Sequence, residues 1–191
     1  MACPKVLTTE RAWSLAYKWG ILLSLGCYLL QNHYNLESTL TLRFLTEPTD
    51  VNFGGKVHGG MVMKWIDQAG FACASNWCSG YCVTVYVGGI RFFQPIHIGD
   101  LVEIQCRIIY TGNTSMHVAV DVYSRATTES TLRKNTHCII VFVAVDGDGN
   151  PRPVPTWKPT NEQERQLEVY AKKLMALRRD IDEEMRPFLE E

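Results

Sequence analysis

Four segments that follow residue 81 decide most of what this chain can fold into. "CVTVYVGGIRFF", "LVEIQCRIIY", "SMHVAVDVYS" and "HCIIVFVAV" all carry strand signatures, and only short links separate them. Two of them alternate cleanly: Val102, Ile104, Cys106 and Ile108 share one face, as do Met116, Val118, Val120 and Val122. The last segment is apolar throughout, the pattern of a strand covered on both faces. Strands joined by such short links pair antiparallel, because a parallel pair needs a crossover of a dozen residues or more. Ahead of them, "STLTLRF" at 38–44 alternates as a half-buried strand, and Gly60 to Trp77 is apolar around most of the helical circle, with Lys64, Asp67, Gln68 and Ser75 as a narrow polar stripe. One strand, one buried helix and four more strands predict an α+β fold in which an antiparallel sheet wraps a long central helix.

A chain of 191 residues suits one domain plus appendages. The pattern divides it into an N-terminal extension at 1–36, the sheet-and-helix domain at 37–158 and a C-terminal helix at 159–191. Net charge of −1 leaves no electrostatic footprint for nucleic acid. The seven cysteines, Cys3, Cys27, Cys73, Cys78, Cys82, Cys106 and Cys138, are odd in number and several lie inside strand or helix pattern, so they read as free thiols in a reducing compartment. Cys78 and Cys82 could begin a zinc site, but no second Cys or His pair stands at ligand spacing. "DGDGN" at 146–150 opens like a calcium loop; Pro151 then replaces the required glycine and Trp157 the bidentate glutamate, which leaves a turn and no metal.

The apolar stretch Trp19 to Leu30 spans about 18 Å as a helix against a hydrocarbon core of about 30 Å, and no signal cleavage site follows in "LLQNHYN". A cytoplasmic protein is expected, with mitochondrial targeting or membrane association through the extension as alternatives. Past "PRPVPTWKP", Thr160 and Gln163 form a capping box for a helix carrying Leu167, Tyr170, Leu174, Leu177 and Ile181 at three-four spacing. That seam wants a partner, either the sheet or another subunit.

Chemistry concentrates in "NFGGKVHGGMVMKWID", Asn52 to Asp67. No nucleophile elbow, His-Glu-x-x-His, dinucleotide fingerprint or phosphate loop occurs in the chain. Gly59 and Gly60 stand at a helix start, where unpaired N–H groups and the helix dipole favour an anion or a developing oxyanion. The same glycines also suit a plain loop-to-helix turn with His58 as a capping or packing residue. Asp67 could pair with Lys64 at i,i+3 on a solvated stripe, and Asn52 could be an ordinary turn residue.

Asn52, Gly55, the run His58-Gly59-Gly60 and Asp67 stand at the spacing of the hotdog-fold acyl-CoA thioesterases, the broad-specificity acyl-CoA hydrolase group. The chain resembles that family further through "FFQPIHIGD", "TGNTSM" and "VFVAVDGDGNPRPVP", over roughly residues 38–158. The resemblance implies a hotdog fold, hydrolysis of acyl-CoA to free acid and CoA, a homodimer as the minimal active unit and a homohexamer as the full assembly. It implies Asp67 as general base or nucleophile, Asn52 as its partner across the dimer interface and the Gly60 amide as oxyanion donor. His58, Gly59, Arg91, Ser115 and Lys134 would contact substrate and CoA, with Lys172, Lys173, Arg178 and Arg179 as further basic candidates. No cofactor is implied beyond the CoA of the substrate itself. Geometry agrees with a shared site: Asp67 lies seven residues into the helix from Gly60, about 10 Å along its axis, too far for one helix to present both groups to one carbonyl carbon. Two antiparallel helices from two subunits would remove that offset.

Two other functions fit the same residues. A non-catalytic acyl-CoA sensor would bind thioester without turnover, and an enoyl-CoA hydratase or dehydratase would use His58 with Asp67 as an acid/base pair. Met61, Trp65, Phe92 and Phe93 are the expected walls of an acyl-chain pocket.

Overall fold

A computed structural model describes residues 36–189; the expectations for Cys3, Cys27 and the apolar stretch at 19–30 lie outside the described residues. The alternating pattern at 38–44 forms β1 (Thr39–Leu45). A 3₁₀ turn at Pro48–Asp50 leads into the glycine loop and then α1 (Gly59–Cys78). Strands β2 (Cys82–Phe92), β3 (Leu101–Thr111), β4 (Ser115–Arg125) and β5 (Arg133–Ala144) follow, and α2 (Glu162–Met185) closes the chain. The order across the sheet is β1-β3-β4-β5-β2, antiparallel at every pairing, with β1 and β2 at the edges. No helix among the described residues is long and apolar enough to cross a membrane.

The two faces of the sheet are the two faces read from alternation. Val102, Ile104, Cys106 and Ile108 of β3 and Met116, Val118, Val120 and Val122 of β4 are all buried against the α1 side. Each such side chain removed from water contributes about 1.5–3 kcal/mol. Helix α1 supplies Val62, Trp65, Ile66, Ala69, Cys73, Ala74 and Trp77 to the same core. At Gly70 the helix comes so close to the sheet that an added Cβ would lie 3.0 Å from Ile140 Cγ2 and 3.0 Å from Phe142 Cε2, so the bare backbone is what permits that approach. The opposite face, with Ile109, Ala119 and Ile139, is covered by Leu167, Tyr170, Ala171 and Leu174 of α2. β5 is therefore covered on both faces, as its uninterrupted apolar run predicts. The five described cysteines are free and buried.

The cap of α2 sits one residue later than the sequence pattern suggests. Asn161 is the N-cap, its side chain accepting from Glu164 N at 2.9 Å, while Glu164 Oε2 accepts from Thr160 N at 2.6 Å and from Thr160 Oγ1 at 2.9 Å. Glu164 takes the role expected of Gln163 because a carboxylate is the stronger acceptor and also complements the helix dipole. The "DGDGN" turn closes on Asp146, whose Oδ1 accepts from Asp148 N at 3.0 Å and Asn150 N at 2.9 Å, with Gly149 at φ +84°.

His117 of β4 lies beneath α2 at 6% exposure, its ring edge-on to Tyr110 at 5.2 Å. Burial, reinforced by the nearby Arg178 charge, pulls its pKa down to about 4 from an ordinary 6.5. A histidine whose folded-state pKa is depressed binds its proton more readily in the unfolded chain. Stability from this group is therefore full above about pH 6.5 and falls as pH drops toward 4. Between pH 6.5 and 4.5 the expected loss is about 2 kcal/mol. Urea unfolding across that window, wild type against His117→Gln, should show a clearly shallower pH dependence in the variant; identical slopes would refute the assignment.

Candidate active site

The glycine loop is a small hairpin closed by Asn52. Val51 bridges to Val57, Asn52 N donates to Lys56 O at 2.7 Å, and Gly55 turns the tip at φ +70°. Asn52 Oδ1 accepts from Gly54 N at 2.8 Å and Lys56 N at 3.4 Å. Two N–H donors aimed at that atom assign it as the amide oxygen, so the Asn52 NH₂ group is the end left to reach outward. Phe53, at the hairpin tip, is fully exposed.

His58 precedes α1 as its N-cap residue but makes no side-chain cap, so its expected capping role is not what the imidazole does. Its backbone carbonyl instead takes Met61 N at 2.9 Å and Val62 N at 3.1 Å. The amides of Gly59 and Gly60 are left without an acceptor among the described residues and sit at the positive end of a 20-residue helix. A Cβ at Gly60 would meet nothing nearer than His58 Nδ1 at 4.0 Å. Packing within the protomer therefore places no steric demand for glycine there, and the open backbone is available to a group from outside the chain.

Two turns further on, Asp67 Oδ1 accepts a hydrogen bond from Thr84 Oγ1 at 2.6 Å. The ion pair with Lys64 allowed by their spacing is absent among the described residues; Thr84 of β2 is the partner instead. Thr84 follows Cys82 on the strand face turned to α1, just before a bulge in the β2–β5 pairing between Thr84 and Tyr86. Thr84 is exposed on this edge strand, and nothing in the strand's alternation marks it.

Along α1 an open stripe runs through Gly60, Met63, Lys64, Asp67 and Gln68, all exposed in the protomer. Gly60, Met63, Lys64 and Asp67 join Val87 and Ile90 of β2 around a hollow of 390 Å³. Asn52 faces a separate groove of 360 Å³ with Lys56, Gly59, Phe92, Phe93 and Thr136. Asn52 and Asp67 thus face different hollows within one protomer.

Of the residues expected at CoA, Gly59 lies on the Asn52 groove, and Arg91 is exposed near the end of β2 with its guanidinium 5.8 Å from the Phe93 ring. Ser115 opens β4 opposite Val143, away from both hollows. Lys134 is bound up on the α2 side of the sheet, its Nζ 2.7 Å from Asp121 Oδ1. Asp121 also meets His137 Nδ1 at 2.7 Å, and His137 Nε2 meets the Tyr170 hydroxyl at 3.2 Å, which ties α2 to β4 and β5. Lys56, unremarked in the sequence pattern, is the basic side chain that lines the Asn52 groove. Trp65 is no pocket wall: it lies on the core side of α1, edge-on to Phe44 at 4.9 Å. Phe92 and Phe93 do line a groove.

Cys78 and Cys82 meet at the end of α1. The neighbouring Cys82 thiol and the charge of Arg152 lower the pKa of Cys78, while Cys78 and burial raise that of Cys82. Arg152 Nη2 also caps the helix by donating to Cys78 O at 2.8 Å. No group of metal-ligating side chains occurs among the described residues.

The fold defines a class, a long central helix wrapped by an antiparallel five-stranded sheet, and comparison with known proteins identifies the family within it. Residues 54–131 match the thioesterase superfamily. The acyl-CoA thioester hydrolase YciA of Salmonella typhimurium is 34% identical over 122 residues, which cover 62% of this chain and 92% of that protein. A hexameric acyl-CoA thioesterase structure is 30% identical with a TM-score of 0.72, over 75% of this chain and 92% of that one. An acyl-CoA hydrolase of Staphylococcus aureus, solved with butyryl coenzyme A, coenzyme A and coenzyme A disulfide, is 25% identical with a TM-score of 0.75, over 81% and 94% of the two chains. The chain belongs to the thioesterase superfamily, among the hotdog-fold acyl-CoA thioesterases.

Proposed function

We propose that this protein hydrolyses acyl-CoA thioesters to a free carboxylic acid and CoA, at a site completed by a second copy of the chain. The observation that carries this reading is the open stripe of α1, where Asp67 is held by Thr84 and the Gly60 amide has no acceptor among the described residues. Asp67 and Gly60 are too far apart along one helix to serve one carbonyl, and Asn52 faces a different hollow from Asp67. A dimer that lays two such helices antiparallel supplies Asp67 from one subunit, with Asn52 and the Gly60 amide from the other.

In this mechanism Asp67 takes a proton from water as the water oxygen attacks the thioester carbonyl carbon, or attacks that carbon itself to give an anhydride that water then opens. The Gly60 amide stabilises the oxyanion, and the Asn52 NH₂ group positions the carbonyl or the water. Collapse breaks the C–S bond, and the CoA thiolate leaves and takes up a proton. Gly59 and His58 flank the carbonyl, while Lys56 on the Asn52 groove, Lys64 on the Asp67 hollow and the exposed Arg91 are the cations offered to the CoA phosphates. Ser115 and Lys134 lie further off, and Lys134 would first have to leave Asp121. The hexameric state of the thioesterase relative supports an assembly of such dimers.

The test is release of free thiol from acetyl-, butyryl-, hexanoyl- and palmitoyl-CoA by the purified protein. Turnover of at least one substrate is expected. Tight binding of acyl-CoA with no thiol released from any of the four would replace the enzyme with a sensor. Loss of enoyl-CoA absorbance without thiol release would replace it with a hydratase.

A further inference from the structure

We infer that Cys78 and Cys82 are a site of reversible oxidation, where hydrogen peroxide converts two thiols to a disulfide between the last residue of α1 and the first residue of β2. The backbone brings the two cysteines together. Ser79 takes the left-handed conformation at φ +50°, and Gly80 N donates to Ser75 O at 3.3 Å, a closure that ends the helix and turns the chain back on itself. Ser75 Oγ fixes the turn by donating to Gly80 O at 2.8 Å, and Cys78 Sγ donates to the same carbonyl at 3.4 Å. Cys82 therefore enters β2 with its thiol beside that of Cys78. The bond ties the helix that carries Asp67 to the strand that carries Thr84.

Arg152 makes the pair unequal. Its guanidinium lies over Gly80, and Nη2 donates to Cys78 O. With the Cys82 thiol on one side and this cation on the other, Cys78 is the cysteine that favours the thiolate, whereas Cys82 keeps its proton. Cys78 is thus the attacking group and Cys82 the resolving one. The Cys78 thiolate attacks one peroxide oxygen, the O–O bond breaks, and a sulfenic acid forms as hydroxide leaves and takes up a proton. The Cys82 sulfur then attacks the Cys78 sulfur, breaks the S–O bond and gives up its proton, so that a second water departs. The pair of thiols loses two electrons, and one peroxide becomes two waters. At 3% and 1% exposure, beneath the exposed Ser79 and Tyr81, the pair admits an oxidant little larger than water. Burial raises the thiols of Cys73, Cys106 and Cys138, which leaves them slower to react.

The experiment treats the reduced full chain with hydrogen peroxide, alkylates the remaining thiols after unfolding and weighs the tryptic peptide Trp65–Arg91, which holds Cys73, Cys78 and Cys82. The expected peptide is lighter by two hydrogens and alkylated once, and dithiothreitol given before alkylation returns it to full alkylation. Cys73→Ser should keep that loss of hydrogens, and Cys78→Ser should abolish it. In Cys82→Ser the sulfenic acid has no resolving thiol, so dimedone is expected to trap it on Cys78. A wild-type peptide that stays fully alkylated after peroxide would overturn the inference, and so would a loss of two hydrogens that persists in Cys78→Ser. The outcome is independent of thioester hydrolysis, in which neither cysteine takes part.

Discussion

Asp67→Asn is expected to lower thiol release from acyl-CoA by at least about 100-fold while leaving acyl-CoA binding within a few-fold of wild type. The substitution is close to isosteric, and the asparagine Oδ1 can still accept the Thr84 hydroxyl hydrogen that Asp67 accepts at 2.6 Å. Fold and side-chain position are therefore preserved, and what is lost is the negative charge that takes a proton or attacks carbon. Thr84→Val makes the complementary change. It keeps the base and its charge but removes the donor that fixes its rotamer, which is worth about 1.5–3 kcal/mol for a hydrogen bond to a charged group. The expected consequence is a loss of roughly 10-fold to 100-fold in kcat, with KM little altered. A fully active Asp67→Asn enzyme would remove Asp67 from the chemistry and move the search to the Asn52 groove. Equal losses in both variants, with binding lost as well, would show that the pair shapes the site rather than performing the reaction.

What the sequence made legible, and what it hid, follows from the range of each interaction. Side-chain alternation has a period of two within one strand, so the inward faces of β3 and β4 could be named residue by residue. The helix was equally legible, and so was the double cover of β5, because an apolar run with no polar face has nowhere else to go. Thr84 was hidden because its partner lies 17 residues away and is met only when β2 folds back on α1. Met63 belongs to the apolar run of the helix yet stands on the open stripe, 47% exposed, a position that periodicity within one chain does not separate from core. Lys134 read as a free cation because its neutralising partner, Asp121, comes from the neighbouring strand. The glycine run pointed to the helix start, but only the 4.0 Å clearance around a Cβ at Gly60 separates a glycine kept for an outside group from one demanded by packing.

The largest stability effect is expected at the crossing of α1 and β5, beside the proposed site. Phe142 is fully buried, paired with Thr84 on one side and Met116 on the other, and its ring fills the space above Gly70. Phe142→Ala removes the largest of the fully buried side chains and opens a cavity that a helix and sheet in such close contact cannot collapse to fill. The expected cost is about 3–5 kcal/mol, or a fall in Tm of roughly 10 °C for a domain of this size. Gly70→Ala acts on the same contact from the other side. Its new methyl would lie 3.0 Å from both Ile140 Cγ2 and Phe142 Cε2, an overpacking that costs about 1–3 kcal/mol. Because the two residues compete for one space, their effects should not add. In the double variant Gly70→Ala with Phe142→Leu, the smaller side chain relieves the added methyl, and the loss should be less than the sum of the singles by about 1 kcal/mol or more. Thermal unfolding at one fixed protein concentration reads the wild type, Gly70→Ala, Phe142→Leu and the double variant, so that subunit association contributes equally to each. Strict additivity would mean that the helix shifts away from the sheet instead of pressing on it. In that case Asp67 would move relative to Thr84 as well, and thiol release by Gly70→Ala would fall together with its stability.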